Sequence, residues 1–396
     1  MIHERQLFLE YLAQTSDFPL MLQPAKSYGI YIEDVNGKKY IDGISGISVS
    51  NTGHLHPEIK SAVEKQMNLY DHLMVYGEYI QSPQVRLAQL LSGLLDGELK
   101  VTYFLNSGSE AIELALKLAK RYTGRFELVS FKNTYHGSTH GAMSLMSNFD
   151  YTRNFRPLLP GVVHLTYNDH KALDYITDKT AGVVVEFIQA EAGVMAASKD
   201  WIKKLKEKCE STGTLLIADE IQTGVGRTGK WWAYKHYGIV PDILVLGKAF
   251  GFGFPLSAVV SSCEIMGVLR NNPVLGHITT FGGHPVCCAA AEAGFNFLKK
   301  NEHLISSVEE KAAYFLQNLD ISLFKDIRHA GLMFALESEN FQQNMARIRR
   351  CLENGLITDW FLFNDKSMRF CPPLIISFEE IKKMCRHYQS IGKGIE

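Results

Sequence analysis

Two charged side chains stand at the ends of apolar runs whose composition is typical of buried strands. The run TLLIAD, residues 214–219, ends in Asp219, and DILVLGK, residues 242–248, ends in Lys248. Open α/β sheets bind ligands at the carboxyl ends of their strands. Burial lowers the pKa of a lysine, and a neutral amine can attack an aldehyde. Taken alone, the aspartate is better explained by a cap or turn, and the lysine equally well by a surface loop.

A third segment, VTYFLNSGSEAIELALKLAKR at residues 101–121, combines a strand with the start of a helix. Ser107 and Glu110 have the spacing of a capping box, which marks a helix N-terminus. The turn formed by Ser107, Gly108 and Ser109 would offer free amides and hydroxyls beside the positive end of the helix dipole. Such a turn can bind a phosphate, although many capped helices look similar.

Together these three elements are the parts that hold pyridoxal 5'-phosphate (PLP). The helix start would bind the phosphate, and Asp219 would keep the pyridine nitrogen protonated, which makes the ring an electron sink. Lys248 would hold the cofactor as a Schiff base and later move a proton as general acid and base. Asp219 and Lys248 are therefore the candidate catalytic residues.

A competing pattern is the G-x-G-x-x-G at Gly224, Gly226 and Gly229, which is typical of nicotinamide-dependent oxidoreductases. A dinucleotide-binding fingerprint opens a helix directly after its strand, whereas residues 220–223 intervene here. No acidic residue ends a following strand at the expected distance. The glycine pattern is therefore a weak indication.

These segments belong to a pattern of short β-branched runs that alternate with amphipathic helices up to about residue 290. The alternation predicts an α/β fold with a largely parallel sheet that is covered on both faces. A hairpin is predicted in residues 29–43, around Asn36-Gly37. The predicted strands are Val101–Phe104, Glu127–Phe131, Gly182–Phe187, Thr214–Ala218, Ile243–Leu246 and Ala258–Ser261. The predicted helices include Glu110–Tyr122, Asp200–Ser211, Cys287–Lys300, Leu304–Asn318 and one that begins at Glu379.

After Pro285 the pattern changes to longer helices and a shorter α+β region. We therefore predict a large PLP-binding domain over residues 45–290 and a smaller α+β domain built from residues 1–44 and 291–396. No repeat, low-complexity tract or Pro/Gly-rich linker marks the boundary, which depends on the change of pattern alone.

The composition excludes several classes of function. A net charge of -1, from 41 basic and 42 acidic side chains, gives no global electrostatic case for binding nucleic acid or an anionic membrane surface. The seven cysteines include no C-x-x-C pair and are interpreted as reduced thiols. No apolar run has the length of a membrane span or the pattern of a secretory signal. We expect a cytoplasmic enzyme.

The motifs resemble those of a known family, the class III aminotransferases of the ornithine, acetylornithine and 4-aminobutyrate type. The similar segments are DVNGKKYIDGISGISVSNTGHLHP, NSGSEA, LLIADEIQTGVGRTG and LGKAF, within a similarity that runs from about residue 29 to residue 376. The resemblance implies the fold-type I architecture, with a large domain of mostly parallel sheet and a smaller domain from both termini. It also implies PLP as the cofactor and a homodimer with shared active sites.

The resemblance assigns further cofactor contacts. Tyr135 in NTYHG falls where an aromatic ring stacks on the PLP face, and Gln222 falls where an amide contacts the ring hydroxyl. Thr280 in HITTFGGHP falls where a hydroxyl reaches the phosphate of the cofactor in the partner subunit. Without the family resemblance, Tyr135 would be interpreted as an ordinary core residue and Thr280 as a helix cap.

On the substrate side, the resemblance points to three residues. Arg369 in MRFCPPLII falls where a guanidinium binds the substrate α-carboxylate, a contact that suits its planar fork. Glu191 falls where several members pair that arginine when no α-carboxylate is present. Glu186 lies close to the reacting centre in the same segment. A surface ion pair for Arg369 and a solvated loop charge for Glu191 are the alternatives.

Several positions depart from the family pattern. The ornithine and acetylornithine enzymes usually carry an arginine after the Tyr-His-Gly motif, and Ser138 occupies that position here. Phe250 and Phe252 enlarge a turn that is normally rich in glycine, and Ile47 stands where ornithine-specific members carry a tyrosine. These departures leave the identity of the amino donor open.

We therefore expect an aminotransferase that moves the terminal amine of an ornithine-, acetylornithine- or diamine-like donor to 2-oxoglutarate by a ping-pong mechanism. The alternatives are a PLP-dependent aminomutase or decarboxylase of the same fold, a nicotinamide-dependent oxidoreductase, and a non-catalytic binding protein. His136 and His140 stand four residues apart but have no further ligand cluster, so no metal is expected.

Overall fold

The computed structural model of the protein describes residues 4–391. Strands and helices alternate through most of this range, as the sequence pattern predicts. The strands in chain order are β1 Pro24–Tyr28, β2 Tyr31–Asp34, β3 Lys39–Asp42, β4 Val101–Leu105, β5 Glu127–Phe131, β6 Val162–Leu165, β7 Thr180–Val185, β8 Ile188–Gln189, β9 Met195–Ala196, β10 Leu215–Asp219, β11 Ile243–Leu246, β12 Ser257–Ser261, β13 Asp326–His329, β14 Phe334–Glu337, β15 Leu356–Ile357, β16 Trp360–Phe361 and β17 Asn364–Phe370.

Several of the helices begin and end at residues whose types explain their boundaries. They are α1 Glu4–Tyr11, α2 Ser45–Ser48, α3 Pro57–Met67, α4 Ser82–Ser92, α5 Gly108–Thr123, α6 His140–Ser144, α7 Phe149–Thr152, α8 Lys199–Thr212, α9 Cys263–Gly267, α10 Pro285–Lys300, α11 His303–Ser306, α12 Val308–Asn318, α13 Phe341–Glu353 and α14 Phe378–Ile391. Ser198 caps α8, and Gly213 ends it in the left-handed conformation, with φ at 64°. Within residues 4–391, no helix is both long and apolar enough to cross a membrane.

A seven-stranded sheet in the order β4-β12-β11-β10-β7-β5-β6 forms the centre of the molecule. Four of its pairings are parallel, and only the two made by β12 are antiparallel. Alternate strand residues face opposite sides. Leu216 and Leu244 pack with helices α3, α4, α8 and α10, whereas Ile217 and Val245 pack with α5. The prediction of an α/β fold with a largely parallel, doubly covered sheet is confirmed.

All six predicted strands are present, and most begin and end within one residue of the prediction. β7 starts at Thr180, two residues before the predicted start at Gly182, and β6 was not predicted. The predicted helix Leu304–Asn318 is divided into α11 and α12 by a turn at Ser307.

The predicted hairpin is also present, with a longer connection than the sequence suggested. β2 and β3 pair antiparallel, and Asp34 N donates to Lys38 O at 2.9 Å, which leaves three residues in the loop. Gly37 takes the left-handed conformation, with φ at 81°. This geometry corresponds to a three-residue loop with glycine at the left-handed position rather than to a two-residue turn.

A second hydrophobic cluster lies outside the central sheet. It joins β3, β14, β15 and β17 to helices α12, α13 and α14, with Phe315, Phe334 and Phe370 in ring contact. This cluster supports a small domain built from both ends of the chain. The division at residues 44 and 290 stays a proposal; α10 runs through the second boundary, and its Phe295 and Leu298 belong to the large-sheet cluster. Residues 1–3 and 392–396 of the proposed small domain lie outside the described residues.

The two phenylalanines that depart from the family pattern pack away from the strand ends, against α10. Phe250 and Phe252 are buried, and their ring centroids lie 5.7 and 5.1 Å from that of Phe295. Gly294 makes room for this contact, because a Cβ at that position would lie 2.3 Å from a ring atom of Phe252. The turn that carries Lys248 is therefore fixed to α10 by an aromatic cluster.

We expect Phe295→Ala to lower the free energy of unfolding by about 3–5 kcal/mol, because a fully buried ring would leave a cavity behind the Lys248 turn. Denaturant unfolding of the purified protein measures the loss. Phe155→Ala is the matched control, since Phe155 is 52% exposed and its loss should cost less than about 0.5 kcal/mol. Equal effects of the two substitutions would contradict this account of the turn.

Candidate active site

The carboxyl ends of the central strands bring the two candidate catalytic residues into one cavity. Asp219 ends β10, directly opposite Val245 of the neighbouring parallel strand, and Lys248 follows β11 by two residues. Both side chains line a cavity of about 200 Å³. The lining residues are Ser107, Gly108, Ser109, Tyr135, His136, Gly137, Glu186, Asp219, Ile221, Gln222, Thr223 and Lys248.

Lys248 is held in an unusual backbone conformation. Its φ is 50°, in the left-handed region that side chains other than glycine rarely adopt, and it starts a short 3-10 helix, Lys248–Gly251. Within residues 4–391, its amine makes no hydrogen bond and no ion pair with the protein. Burial lowers the pKa of Lys248, against the attraction of Glu191 and Asp219. The site therefore presents an amine that loses its proton more readily than usual.

The start of α5 also lines the cavity and is suited to an anion. Ser107 and Glu110 form the predicted capping box. The first amides of a helix, here those of Gly108 and Ser109, have no partner within the helix and point out of its positive end. Helix α5 has 16 residues and directs this end at the cavity.

Close packing leaves no room for side chains at two glycines beside this helix start. A Cβ at Gly108 would lie 2.8 Å from Ile221 Cδ1, and one at Gly137 would lie 2.1 Å from Ser109 Oγ. Thr223 Oγ1 also faces this cavity, and it is buried without a hydrogen-bond partner in the protein. The residues present therefore fit PLP: an anion-binding helix start, a free amine, a carboxylate and an unsatisfied hydroxyl surround one space.

Asp219 is connected to three further buried polar side chains. Its Oδ2 lies 2.6 Å from His136 Nδ1, and its Oδ1 accepts a hydrogen bond from the backbone N–H of Ile221. His136 Nε2 lies 2.8 Å from Thr134 Oγ1, which lies 2.6 Å from Glu186 Oε1. Burial raises the pKa of Glu186 to about 7. The sequence interpretation considered His136 only as a metal ligand with His140; its partner in the structure is Asp219.

Tyr135 lines the cavity beside this chain of hydrogen bonds. Its backbone N–H donates to Glu186 Oε1 at 3.1 Å, and its hydroxyl lies 3.1 Å from Ser138 Oγ. Ser138 therefore contacts the tyrosine at the position where related enzymes carry arginine. Among the described residues that line the cavity, Lys248 is the single lysine or arginine.

Arg369 and Glu191 form an ion pair next to the cavity. Two nitrogens of the guanidinium contact the two carboxylate oxygens at 2.8 and 3.0 Å, and the arginine stacks on the ring of Phe361 at 4.3 Å. Gln222, which lines the cavity, donates to Glu191 Oε1 at 3.3 Å. The pair is therefore joined to the cavity through Gln222, although neither residue lines it.

A second carboxylate on Arg369 was not predicted. Asp359 Oδ1 accepts from Arg369 Nε at 2.9 Å. Two buried carboxylates thus share one guanidinium. Burial raises the pKa of both carboxylates. For Glu191, the attraction of Arg369 outweighs burial, and the pKa is lowered. For Asp359, burial and the charge of Glu191 outweigh Arg369, and the pKa is raised to about 6. Asp359 is therefore the carboxylate that takes a proton first.

The remaining predicted residues lie elsewhere. Thr280 is exposed and does not line this cavity, while its neighbour Thr279 accepts a hydrogen bond from Asn106. The glycine run at Gly224–Gly229 forms turns, not a helix start. Its Arg227 is fully buried and donates to Leu332 O and Pro372 O at 3.1 and 2.6 Å. That segment therefore connects parts of the chain that are distant in sequence, and the glycine pattern there gives no basis for a dinucleotide site.

Comparison with known proteins identifies relatives of the whole chain. A family model described as aminotransferase class-III matches residues 11–391. The acetylornithine aminotransferase of Methanocaldococcus jannaschii is 37% identical over 92% of this chain and 91% of its own length. The putrescine aminotransferase of Pectobacterium atrosepticum is 35% identical over 91% of this chain and 80% of its own.

A similar solved structure supports the same relationship. The ornithine aminotransferase of Toxoplasma gondii, in which PLP partly occupies the active site, matches with a TM-score of 0.89 and 30% identity. The match covers 97% of this chain and 92% of that chain.

We expect Asp359→Asn to gain stability relative to the wild type as the pH rises. The pKa of Asp359 is raised from 3.8 to about 6 in the folded protein. Because the folded state holds this proton more tightly, the wild-type free energy of unfolding falls as the pH rises from about 4 to about 6. Asparagine does not titrate, so the variant should gain up to about 3 kcal/mol over that interval. Denaturant unfolding at several pH values measures the difference.

Glu337→Gln is a control of opposite sign. Burial opposes ionisation of Glu337, but Lys366 and Arg328, at 2.6 and 2.8 Å, outweigh it and lower the pKa. The wild type should therefore lose its advantage over this variant as the pH falls. If the stability difference between Asp359→Asn and the wild type does not change with pH, the pKa of Asp359 is not raised in the folded protein.

Proposed function

The chain belongs to the class-III aminotransferases, which use PLP, and from this premise we propose its substrates and the roles of its site residues. We propose that it moves the terminal amine of an ornithine-, acetylornithine- or diamine-like donor to 2-oxoglutarate by a ping-pong mechanism. The observation that supports this most directly is that Asp219 and Lys248 line one cavity at the start of α5. Bound PLP supplies an aldehyde and an electron-withdrawing ring, which together accept and return an amino group.

On the cofactor side, the start of α5 would bind the phosphate through the amides of Gly108 and Ser109 and the hydroxyl of Ser107. Asp219 would accept a hydrogen bond from the ring nitrogen and keep it protonated. Its position is fixed by His136, at 2.6 Å, and by the backbone of Ile221.

Two further residues would contact the cofactor ring. Tyr135 would stack on one face, and its backbone hydrogen bond to Glu186 holds it in position. Gln222 would contact the ring hydroxyl, and its amide nitrogen already donates to Glu191. Both residues line the cavity between Asp219 and Lys248.

Lys248 would bind the cofactor and move the proton of the reacting carbon. Because burial lowers its pKa, its amine is available as a base without a further base to remove its proton. Glu186 lies near the reacting centre, and its pKa of about 7 lets it gain or lose a proton at physiological pH.

Arg369 would bind the carboxylate of the 2-oxo acid. In the protein alone, Glu191 occupies both nitrogens that a substrate carboxylate would need. Binding of the oxo acid would therefore displace Glu191. An amine without an α-carboxylate would leave the Arg369–Glu191 pair closed, so that one site accepts both substrates in turn.

The donor is the least determined substrate. Ser138 stands where the ornithine and acetylornithine enzymes carry arginine, and its hydroxyl is within hydrogen-bond distance of Tyr135. Relatives named for acetylornithine and for putrescine are similarly close to this chain. Because a diamine has no carboxylate to bind, the cavity favours a diamine-like donor within the proposed class.

We further propose a homodimer in which Thr280 contributes to the partner subunit's site. The exposed position of Thr280, away from the cavity of its own chain, is compatible with this role. A cytoplasmic location and the two-domain division belong to the same proposal.

We expect Lys248→Ala to lower turnover at least about a thousandfold, since the amine that moves the proton is lost. The visible absorption of the bound cofactor should also disappear, which spectroscopy of the purified protein measures. Lys203→Ala, on the exposed face of α8, should keep both properties. An active Lys248→Ala enzyme with unchanged absorption would exclude the proposed chemistry.

We expect glutamate to form from 2-oxoglutarate faster with putrescine than with N-acetylornithine. Ser138→Arg should reverse the order by at least about tenfold, because a charged hydrogen bond to the donor carboxylate contributes about 1.5–3 kcal/mol. Ser138→Ala is the control and should leave the order unchanged. A wild-type preference for N-acetylornithine would refute the diamine-like donor, and carbon dioxide in place of glutamate would indicate the decarboxylase alternative.

A further inference from the structure

Four buried side chains from three separate segments form one continuous chain of hydrogen bonds, and all but Thr134 line the cavity. Asp219 ends β10, Glu186 follows β7, and His136 and Thr134 lie in the connection after β5. The successive contacts measure 2.6, 2.8 and 2.6 Å. The four residues are between 1% and 6% exposed. The chain therefore links the residue assigned to the cofactor ring with an acid on a different strand.

The number of hydrogens in this chain restricts its protonation states. If Glu186 is ionised, the hydroxyl of Thr134 donates to it and must accept from His136, so Nε2 carries a hydrogen. His136 Nδ1 then faces Asp219 with one further proton between them. In this state, the Asp219–His136 pair as a whole carries no net charge.

A second state holds the same number of protons. His136 Nε2 gives its hydrogen to Thr134 Oγ1, while the hydroxyl gives its own hydrogen to Glu186 Oε1. Thr134 then donates back to Nε2, and the protonated Glu186 donates to Thr134. One proton has moved to Glu186 with no oxidation or reduction, and the Asp219–His136 pair now carries a charge of about minus one.

The surroundings of Glu186 act on its ionisation in both directions. Burial raises its pKa to about 7, and the charge of Asp219 acts in the same direction. His136 opposes the shift, as do the Thr134 hydroxyl and the backbone N–H of Tyr135.

Other groups face Glu186 from the neighbouring elements. The amine of Lys248 interacts with it across the cavity, and the phenol of Tyr167 donates to its backbone carbonyl at 2.8 Å. The N–H of Ala190 donates to its second carboxylate oxygen at 3.2 Å. Of these contacts, the N–H of Ala190 reaches the carboxylate itself and favours its ionised form, whereas Tyr167 fixes the backbone.

We propose that Thr134 is a positioning residue whose hydroxyl passes a proton between His136 and Glu186 and so sets the charge of the Asp219–His136 pair. This inference rests on the proposed function in one respect: Asp219 is taken to face the ring nitrogen of the cofactor. Through Thr134, the protonation of Glu186 would determine the charge beside that nitrogen. The Asp219–His136 pair would carry about minus one when Glu186 is protonated and no net charge when Glu186 is ionised. A hydroxyl suits this position because the same oxygen can donate to one neighbour while it accepts from the other.

The test compares the hydrogen on His136 Nε2 with the proton on Glu186 in the holoenzyme, at constant pH and over a range of temperature. Nitrogen NMR of histidine-labelled protein follows His136 Nε2, assigned by its absence in His136→Gln. The infrared carboxyl band that is lost in Glu186→Gln follows Glu186. In the wild type, the fraction of Nε2 that carries hydrogen and the fraction of Glu186 that is protonated should add up to one at every temperature. The two fractions should also add up to one in Thr134→Ser, which keeps the hydroxyl, and should not in the isosteric Thr134→Val.

Each outcome decides the proposal. Fractions that add up to one in Thr134→Val, or that do not in the wild type or in Thr134→Ser, would overturn it. If the valine variant does not fold, the wild-type and serine measurements still test the coupling. The readout does not require turnover, so a protein without the proposed donor activity could still show the complementary fractions, and the two proposals can fail separately.

Discussion

The whole site depends on the balance of charges that the protein holds out of water. An unpaired charge inside a protein costs several kcal/mol, so each ionised group there needs a partner or a lowered tendency to ionise. Arg369 has two carboxylates, Asp219 has His136, and burial lowers the pKa of Lys248. In each case one charge or contact can still change. Lys248 and Glu186 can gain or lose a proton, and Glu191 can separate from Arg369. The groups that reaction and binding require are those whose charge the fold balances least firmly.

Most of the framework that creates this balance could be predicted from the sequence. Strands β10 and β11 are short β-branched runs, and a residue at the end of each is charged, so their carboxyl edge was an identifiable site. The phosphate-type helix start at Ser107 was predictable because the capping box is a local pattern. Such features depend on residues that are close together in the chain, so they can be predicted without knowledge of the fold.

The partners of these residues could not be predicted in the same way. His136 lies 83 residues from Asp219 in the chain, and no local signal joins them. Asp359 contacts Arg369 because β16 and β17 form an irregular hairpin, with a shifted register between Trp360 and Phe361. The strand β6 was missed because Val162–Leu165 is short and contains a histidine. In each case, the structure depends on contacts between segments that are distant in the chain. Such contacts produce no recognisable spacing of residues in the sequence.

The left-handed backbone of Lys248 has a consequence for the stability of the protein. Glycine adopts this conformation freely, whereas a residue with a Cβ is strained there by about 1 kcal/mol or more. A sequence chosen only for the strongest fold on this backbone would place glycine at the position. Under the proposed function, the lysine at this position is a compromise between stability and catalysis, and methods that optimise thermal resistance alone would tend to replace the proposed catalytic residue.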